Sequence, residues 1–176
     1  REVILPTVRG MAADGMPYTG FLYAGLMIGK DGSVKVVEFN CRMGDPETQP
    51  IMMRLKSDLV TLVEHAIAGK LDQIEAEWDR RVALGVVLAA ANYPDTPRKG
   101  DVISGLPAES DTVCVFHAGT TEQDGKIVTA GGRVLCVTAL GENVRLAQKR
   151  AYEAVAQIGW EGMQFRKDIG HRAISR

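Results

Sequence analysis

Cysteine is scarce in this chain, and what there is does not pair. Cys41, Cys114 and Cys136 are its three cysteines. An odd count at wide spacing excludes a disulfide framework, and no two of them have metal-ligand spacing. Cys114 and Cys136 sit inside apolar runs and read as small buried hydrophobes. This usage fits a reducing, cytoplasmic setting. An excess of charge is also lacking. The formal net charge is −1, which gives no footprint for nucleic acid or for an anionic membrane surface. No apolar run is long enough to span a bilayer, and no basic-then-apolar leader is present. Internal repeats and low-complexity segments are absent too. What is there is the balance of a soluble globular protein, 45% hydrophobic and 24% charged over 176 residues, enough for one ordinary domain or two small ones. The chain opens at Arg1 without a recognisable start of a domain. It is therefore expected to be the C-terminal piece of a longer polypeptide, whose N-terminal part would be its first partner.

The chemistry is concentrated in Val37-Glu38-Phe39-Asn40-Cys41-Arg42-Met43-Gly44-Asp45-Pro46-Glu47-Thr48-Gln49. Val34 to Asn40 reads as a strand, which places Glu38 and Asn40 on one face and Phe39 on the other. An acid beside an amide oxygen makes a hard-oxygen site of the kind Mg²⁺ shares with substrate phosphates. Arg42 continues the alternation if the strand runs that far, and it offers a fixed fork for an anion. The plainer reading is a solvated strand face with a surface ion pair between Arg42 and Asp45. The density of ionic and amide groups weighs against it, and so does the conformational freedom of Gly44 beside the helix-start signal of Pro46.

Upstream, Val3-Ile4-Leu5 reads as a short apolar element stopped by Pro6. Tyr18 to Ile28 then reads as a strand, and Lys30-Asp31-Gly32-Ser33 as the turn of a hairpin. That first strand carries no acid and supplies no third carboxylate. Asp45 is expected to cap a helix with Pro46 at its first position. Ser57 is expected to cap a second helix, apolar at Leu59, Leu62, Val63 and Ala66 and closed by Gly69. Lys70 to Arg81 reads as a link. Beyond it, Val82 to Ala91, Val102 to Leu106, Val113 to His117, Lys126 to Thr129 and Val134 to Leu140 are strand candidates, with Asp124-Gly125 as a hairpin turn. Glu142 to Ile158 reads as one amphipathic helix, and the tail from Phe165 to Arg176 as polar and basic. The fold class is thus α+β, with a small C-terminal domain of short antiparallel strands and one packed helix. His65 reads as a helix-face histidine and His117 as a structural histidine at a strand end. Gly131-Gly132-Arg133 reads as a tight turn into a strand rather than a phosphate cradle, since it lacks a G-x-G-x-x-G or G-K-[ST] context.

Taken together, several segments resemble the phosphoribosylamine–glycine ligase family of ATP-grasp enzymes. They are Tyr18-Thr19-Gly20-Phe21-Leu22-Tyr23-Ala24-Gly25-Leu26-Met27, the stretch from Glu38 to Gln49, Phe116 to Thr120, Gly131 to Leu135, and Arg166 to Ala173. The resemblance runs in order along essentially the whole chain. It implies a C-terminal part of an ATP-grasp lobe over residues 1–79 and the family's C-terminal α+β domain over 80–176. It also implies an early step of purine biosynthesis: ATP, glycine and 5-phosphoribosylamine give glycinamide ribonucleotide, ADP and phosphate through a glycyl phosphate. Glu38 and Asn40 match the family's pair for Mg²⁺ or Mn²⁺. Arg42 matches the arginine of the same motif and is expected to stabilise the transferred phosphoryl group or the acyl phosphate; Asp45 and Glu47 match the motif's acids and are expected to orient a substrate amine or to anchor Arg42. Ala91-Asn92-Tyr93-Pro94-Asp95 departs from a glycine-richer turn. The lysine-bearing lobe that completes a nucleotide site has no match here, so the chain alone is expected to be inactive. Two other readings stand beside this one: another ATP-grasp ligase, and a folded module without catalysis.

Overall fold

The computed structural model describes residues 1–108 and 110–175; Arg176, the end of the expected basic tail, lies outside the described residues. In chain order the elements are α1 (Ile4–Ala13), β1 (Tyr23–Ile28), β2 (Val34–Asn40), α2 (Thr48–Arg54), α3 (Leu59–Ile67), a 3-10 turn (Leu71–Gln73), β3 (Val82–Ala89), β4 (Val113–His117), β5 (Thr120–Gln123), β6 (Lys126–Thr129), β7 (Arg133–Gly141), α4 (Val144–Val155) and α5 (His171–Ile174). The chain divides into two compact units. One is Arg1–Asp45 with Lys56–Glu77, the other Pro46–Leu55 with the chain from Trp78 onward.

In the first unit, Pro6 does not stop the opening apolar run; α1 passes through it. Pro6 is the third helical residue, where the backbone N–H has no intrahelical acceptor to lose. The first strand begins later than its composition suggests, at Tyr23. The Tyr18 hydroxyl donates to the Phe21 carbonyl at 2.6 Å and Gly20 takes a positive φ, so residues before Tyr23 form a loop. The turn is as expected: Gly32 has φ +82°, and Asp31 Oδ1 accepts the Ser33 N–H at 3.0 Å. Asp58, not Ser57, caps α3 by accepting the Thr61 N–H at 2.7 Å. Ser57 Oγ instead accepts the Glu77 N–H at 2.7 Å, which takes it out of the capping geometry. Gly69 ends α3 as expected, with Lys70 N–H reaching the His65 carbonyl at 2.8 Å in a left-handed cap.

The second unit holds the core. β3, β7 and β4 form an antiparallel sheet in the order β3-β7-β4, and β5 with β6 forms a hairpin around Asp124-Gly125. On one sheet face Leu84 pairs with Ala139, Val86 with Val137 and Leu88 with Leu135. All are buried together with Ala147, Ala151, Ala154 and Val155 of α4. Alanines on that helix face let α4 lie close to the sheet; a Cβ on Gly141 would sit 2.4 Å from the Ala147 nitrogen. The opposite face begins at Gly85, whose absent Cβ leaves room for Pro50 of α2 at 3.3 Å. α2 starts at Thr48, with Glu47 as its N-cap residue and no side-chain cap bond; the expected cap at Asp45 falls instead in the turn before it. Val102 to Leu106 is not a strand but two isolated bridges, Val102 to Val128 and Ser104 to Gly159. The expected α+β class, with short antiparallel strands and one packed helix, is what forms. Among the described residues no helix is long and apolar enough to cross a membrane.

Candidate active site

In the first unit, β2 pairs antiparallel with β1, setting Gly25 opposite Glu38 and Tyr23 opposite Asn40. Leu26 pairs with Val36, so Val37 is an extra residue in β2. Such a bulge re-aims the residues that follow it. Glu38 and Asn40 both lie beyond it, and their spacing of two keeps them on one face. A Cβ on Gly25 would sit 3.1 Å from Glu38 Cγ and 3.7 Å from Glu38 Oε1. The Glu38 side chain therefore lies across the neighbouring strand, in space that only glycine leaves. The cross-strand register, Gly25 opposite Glu38, shows the use of this glycine.

β2 ends at Asn40, so Arg42 does not continue the strand alternation. It lies in the bend beyond, exposed, and its Nη1 donates to the Met43 carbonyl at 2.9 Å. Asp45 is exposed in the following turn. The loop before β1 is tied to the same bend: a hydrogen bond with the Cys41 thiol raises the pKa of the Tyr18 hydroxyl. The first unit thus collects Glu38, Asn40, Arg42 and Asp45 along one strand end and its exit. Among the described residues no group of three or more His, Cys, Asp or Glu side chains is placed to hold a metal ion. The donor set still fits magnesium, which takes one or two protein oxygens and completes its shell with water and phosphate.

In the second unit, Glu47 is the exposed N-cap residue of α2. Pro46, just before it, lines a cavity of about 540 Å³ on the α2 side of the sheet. Its floor is Gly85, Val87 and Ala89 of β3, and its polar walls are Tyr93, Arg133, Gln164 and Arg166. Arg133 Nε donates to the Tyr93 hydroxyl at 3.1 Å. Gly132 explains the expected tight turn: a Cβ there would sit 2.7 Å from the Tyr93 ring. Arg166 donates Nε and Nη2 to the two Asp168 oxygens at 2.9 and 2.8 Å, and that guanidinium lowers the pKa of Asp168. His117 Nδ1 lies 3.1 Å from Thr120 Oγ1 at the end of β4, and His65 Nδ1 lies 2.8 Å from the Thr61 carbonyl on α3. Both are explained by local hydrogen bonds. The cavity was not visible in the sequence, because its walls come from segments far apart in the chain.

The family model described as phosphoribosylglycinamide synthetase, C domain, matches residues 83–172. The one described as phosphoribosylglycinamide synthetase, ATP-grasp (A) domain, matches residues 1–48. The phosphoribosylamine–glycine ligase of Ralstonia nicotianae is 66% identical over 176 residues, covering 100% of this chain and 42% of that protein. That of Vibrio parahaemolyticus is also 66% identical, over 99% of this chain and 41% of its own length. The chain thus spans about two-fifths of the curated relatives it matches. The crystal structure of phosphoribosylamine–glycine ligase from Thermotoga maritima superposes with a TM-score of 0.78 at 41% identity, covering 92% of this chain and 39% of that one. A Campylobacter jejuni biotin carboxylase superposes at 0.62 with 13% identity, over 99% of this chain and 39% of that one, and shows a shared fold alone. On the match of more than half its length to the C-domain model, this chain belongs to the phosphoribosylglycinamide synthetase family.

Proposed function

We propose that this chain is the C-terminal part of an ATP-dependent ligase that joins glycine to 5-phosphoribosylamine, giving glycinamide ribonucleotide, ADP and phosphate. Residues 1–79 are read as the end of its ATP-grasp lobe and 80–176 as its C-terminal domain. The observation that carries the site assignment is the Glu38–Asn40 pair on one strand face, with Gly25 leaving the space that Glu38 occupies. The names of the matched relatives carry the choice of substrates.

Two anions must meet in this reaction, a carboxylate and a polyphosphate. Glu38 and Asn40 would hold Mg²⁺ or Mn²⁺, which supplies charge neutralisation across the phosphate oxygens. Arg42, on a bend with its guanidinium anchored at the Met43 carbonyl, steadies the transferring phosphoryl group and the acyl phosphate it forms. The amine nitrogen then bonds to the acyl carbon, the carbon–oxygen bond to phosphate breaks, and the nitrogen loses a proton. Asp45 and Glu47 orient that amine. The chain alone, spanning about two-fifths of its relatives, does not turn over, and the complete enzyme works in the cytoplasm on small molecules.

The test is glycine-dependent ADP release by the complete enzyme carrying Glu38→Ala or Asn40→Ala. A large loss that excess Mg²⁺ partly restores is expected. Unchanged release in both variants removes the metal assignment. For Arg42→Ala, turnover should fall more than ATP affinity; weaker ATP binding with normal turnover at saturation removes that role.

A further inference from the structure

Arg42 sits on a bend that the strand pairing does not hold. Pairing of β2 with β1 ends at Asn40, opposite Tyr23. Two residues on, the Arg42 guanidinium donates to the carbonyl of Met43, its chain neighbour. That bond fixes the side chain to its own bend and leaves the bend to be fixed by something else. In an antiparallel pair, the chain before one strand lies beside the chain after the other. The segment before β1 is therefore the neighbour within reach of Cys41 and Arg42.

Tyr18, in that segment, has the geometry to hold them. It is partly buried, while Pro17 and Thr19 on either side of it are exposed. Its hydroxyl donates to the Phe21 carbonyl at 2.6 Å, which closes the loop on itself. Gly20 permits that closure: it takes φ +137°, and a Cβ on it would lie 3.6 Å from the Tyr18 oxygen. The Tyr18 oxygen is thus held from its own side before it meets anything else. A phenol has one proton, and the Phe21 carbonyl takes it. The hydrogen bond between Tyr18 and Cys41 therefore runs the other way, with the Cys41 thiol as donor. Cys41 stands between Asn40 and Arg42 with its side chain exposed, so this contact, not burial, is what ties it to the fold.

We infer that Tyr18 is a positioning residue for phosphoryl transfer: it anchors the bend at Cys41 and so holds the Arg42 guanidinium for the transferred phosphoryl group. Tyr18 itself touches no reacting atom. The inference rests on the role proposed above for Arg42.

The test uses the complete enzyme. Tyr18→Phe removes the hydroxyl and keeps the ring. It should lower the kcat of glycine-dependent ADP release by about two- to tenfold, the worth of one hydrogen bond. The KM for ATP and the Mg²⁺ requirement should stay within about twofold. In an Arg42→Ala background Tyr18→Phe should cost nothing further, because residues that act through one another are not additive. Cys41→Ala should reproduce the loss, and Cys41→Ser, which keeps a donor in place, should restore most of it. That pair decides the matter even if Tyr18→Phe folds poorly. One readout needs no turnover: alkylation of Cys41 by iodoacetamide, followed by peptide mass, should run about two- to tenfold faster in Tyr18→Phe, since the bond occupying the thiol is gone. An unchanged alkylation rate overturns the contact. A lower melting temperature with normal kcat, a raised KM for ATP with normal kcat, or a further loss on top of Arg42→Ala overturns the positioning role. Loss of turnover in Arg42→Ala with none in Tyr18→Phe sinks this inference alone. Normal turnover in Arg42→Ala sinks the role of Arg42 and this inference with it.

Discussion

Gly25→Ala tests the metal site without touching any residue proposed to act there. The added Cβ would sit 3.1 Å from Glu38 Cγ, a few tenths of an ångström closer than ordinary contact. Gly25 has no positive φ, so alanine fits the backbone itself. Glu38 is exposed, and its side chain yields by leaving its rotamer. An off-rotamer angle costs about 0.5–1.5 kcal/mol, which converts to roughly two- to tenfold in any affinity that needs the original position. The backbone effect has the opposite sign, since glycine in a strand costs about 0.5–1 kcal/mol relative to alanine. The variant should therefore keep or gain thermal stability while requiring about two- to tenfold more Mg²⁺ for half-maximal ADP release. A Mg²⁺ titration of the complete enzyme beside a melting curve reads both quantities. A more stable variant with an unshifted Mg²⁺ requirement would refute the argument, because it would mean that the position of Glu38 over Gly25 does not matter to the ion.

Asn143 caps α4 by accepting the Leu146 N–H at 2.9 Å; Asn143→Ala should cost about 1 kcal/mol of stability, read as a lower urea midpoint at unchanged slope, and no change would show that the cap contributes nothing. Asp58 and Asp168 both titrate below the ordinary carboxylate range, Asp58 because it accepts the Thr61 N–H and Asp168 because the Arg166 guanidinium donates to it. Their folded values lie below the unfolded ones, so the stability they contribute is present above the ordinary carboxylate range and lost as pH falls through the lowered values. Carboxyl ¹³C titration should place both midpoints below those of the acid-unfolded chain; equal midpoints would contradict this.

Local patterns were legible where one short segment decides the outcome. Asp31-Gly32 and Asp124-Gly125 supply residues that tolerate positive φ, and both turn a hairpin. β2 and β4 have the bounds their alternation suggested, and Gly69 stops α3 where a glycine should. Errors arose where a residue's partner was not its neighbour. Ser57 had the right chemistry for a cap, but its hydroxyl is taken by the Glu77 N–H, twenty residues away. Pro6, expected to stop the first apolar run, lies instead in the first turn of α1, where a proline costs no hydrogen bond. Thr120–Gln123 has no strong apolar pattern and becomes a strand only because Lys126–Thr129 pairs with it.

The candidate site divides in the same way. Glu38 and Asn40 share a face because a strand alternates with a period of two, a property of the backbone that any such sequence carries. That Glu38 lies over a glycine depends on a bulge and a register set by the other strand. Tyr93, Arg133, Gln164 and Arg166 meet only once β3, β7 and the C-terminal segment have packed on one another, and no local rule brings them together. Residue order decides conformation over a few positions, where sterics and hydrogen bonds are short-ranged; assembling a cavity from distant segments takes the burial of a shared core.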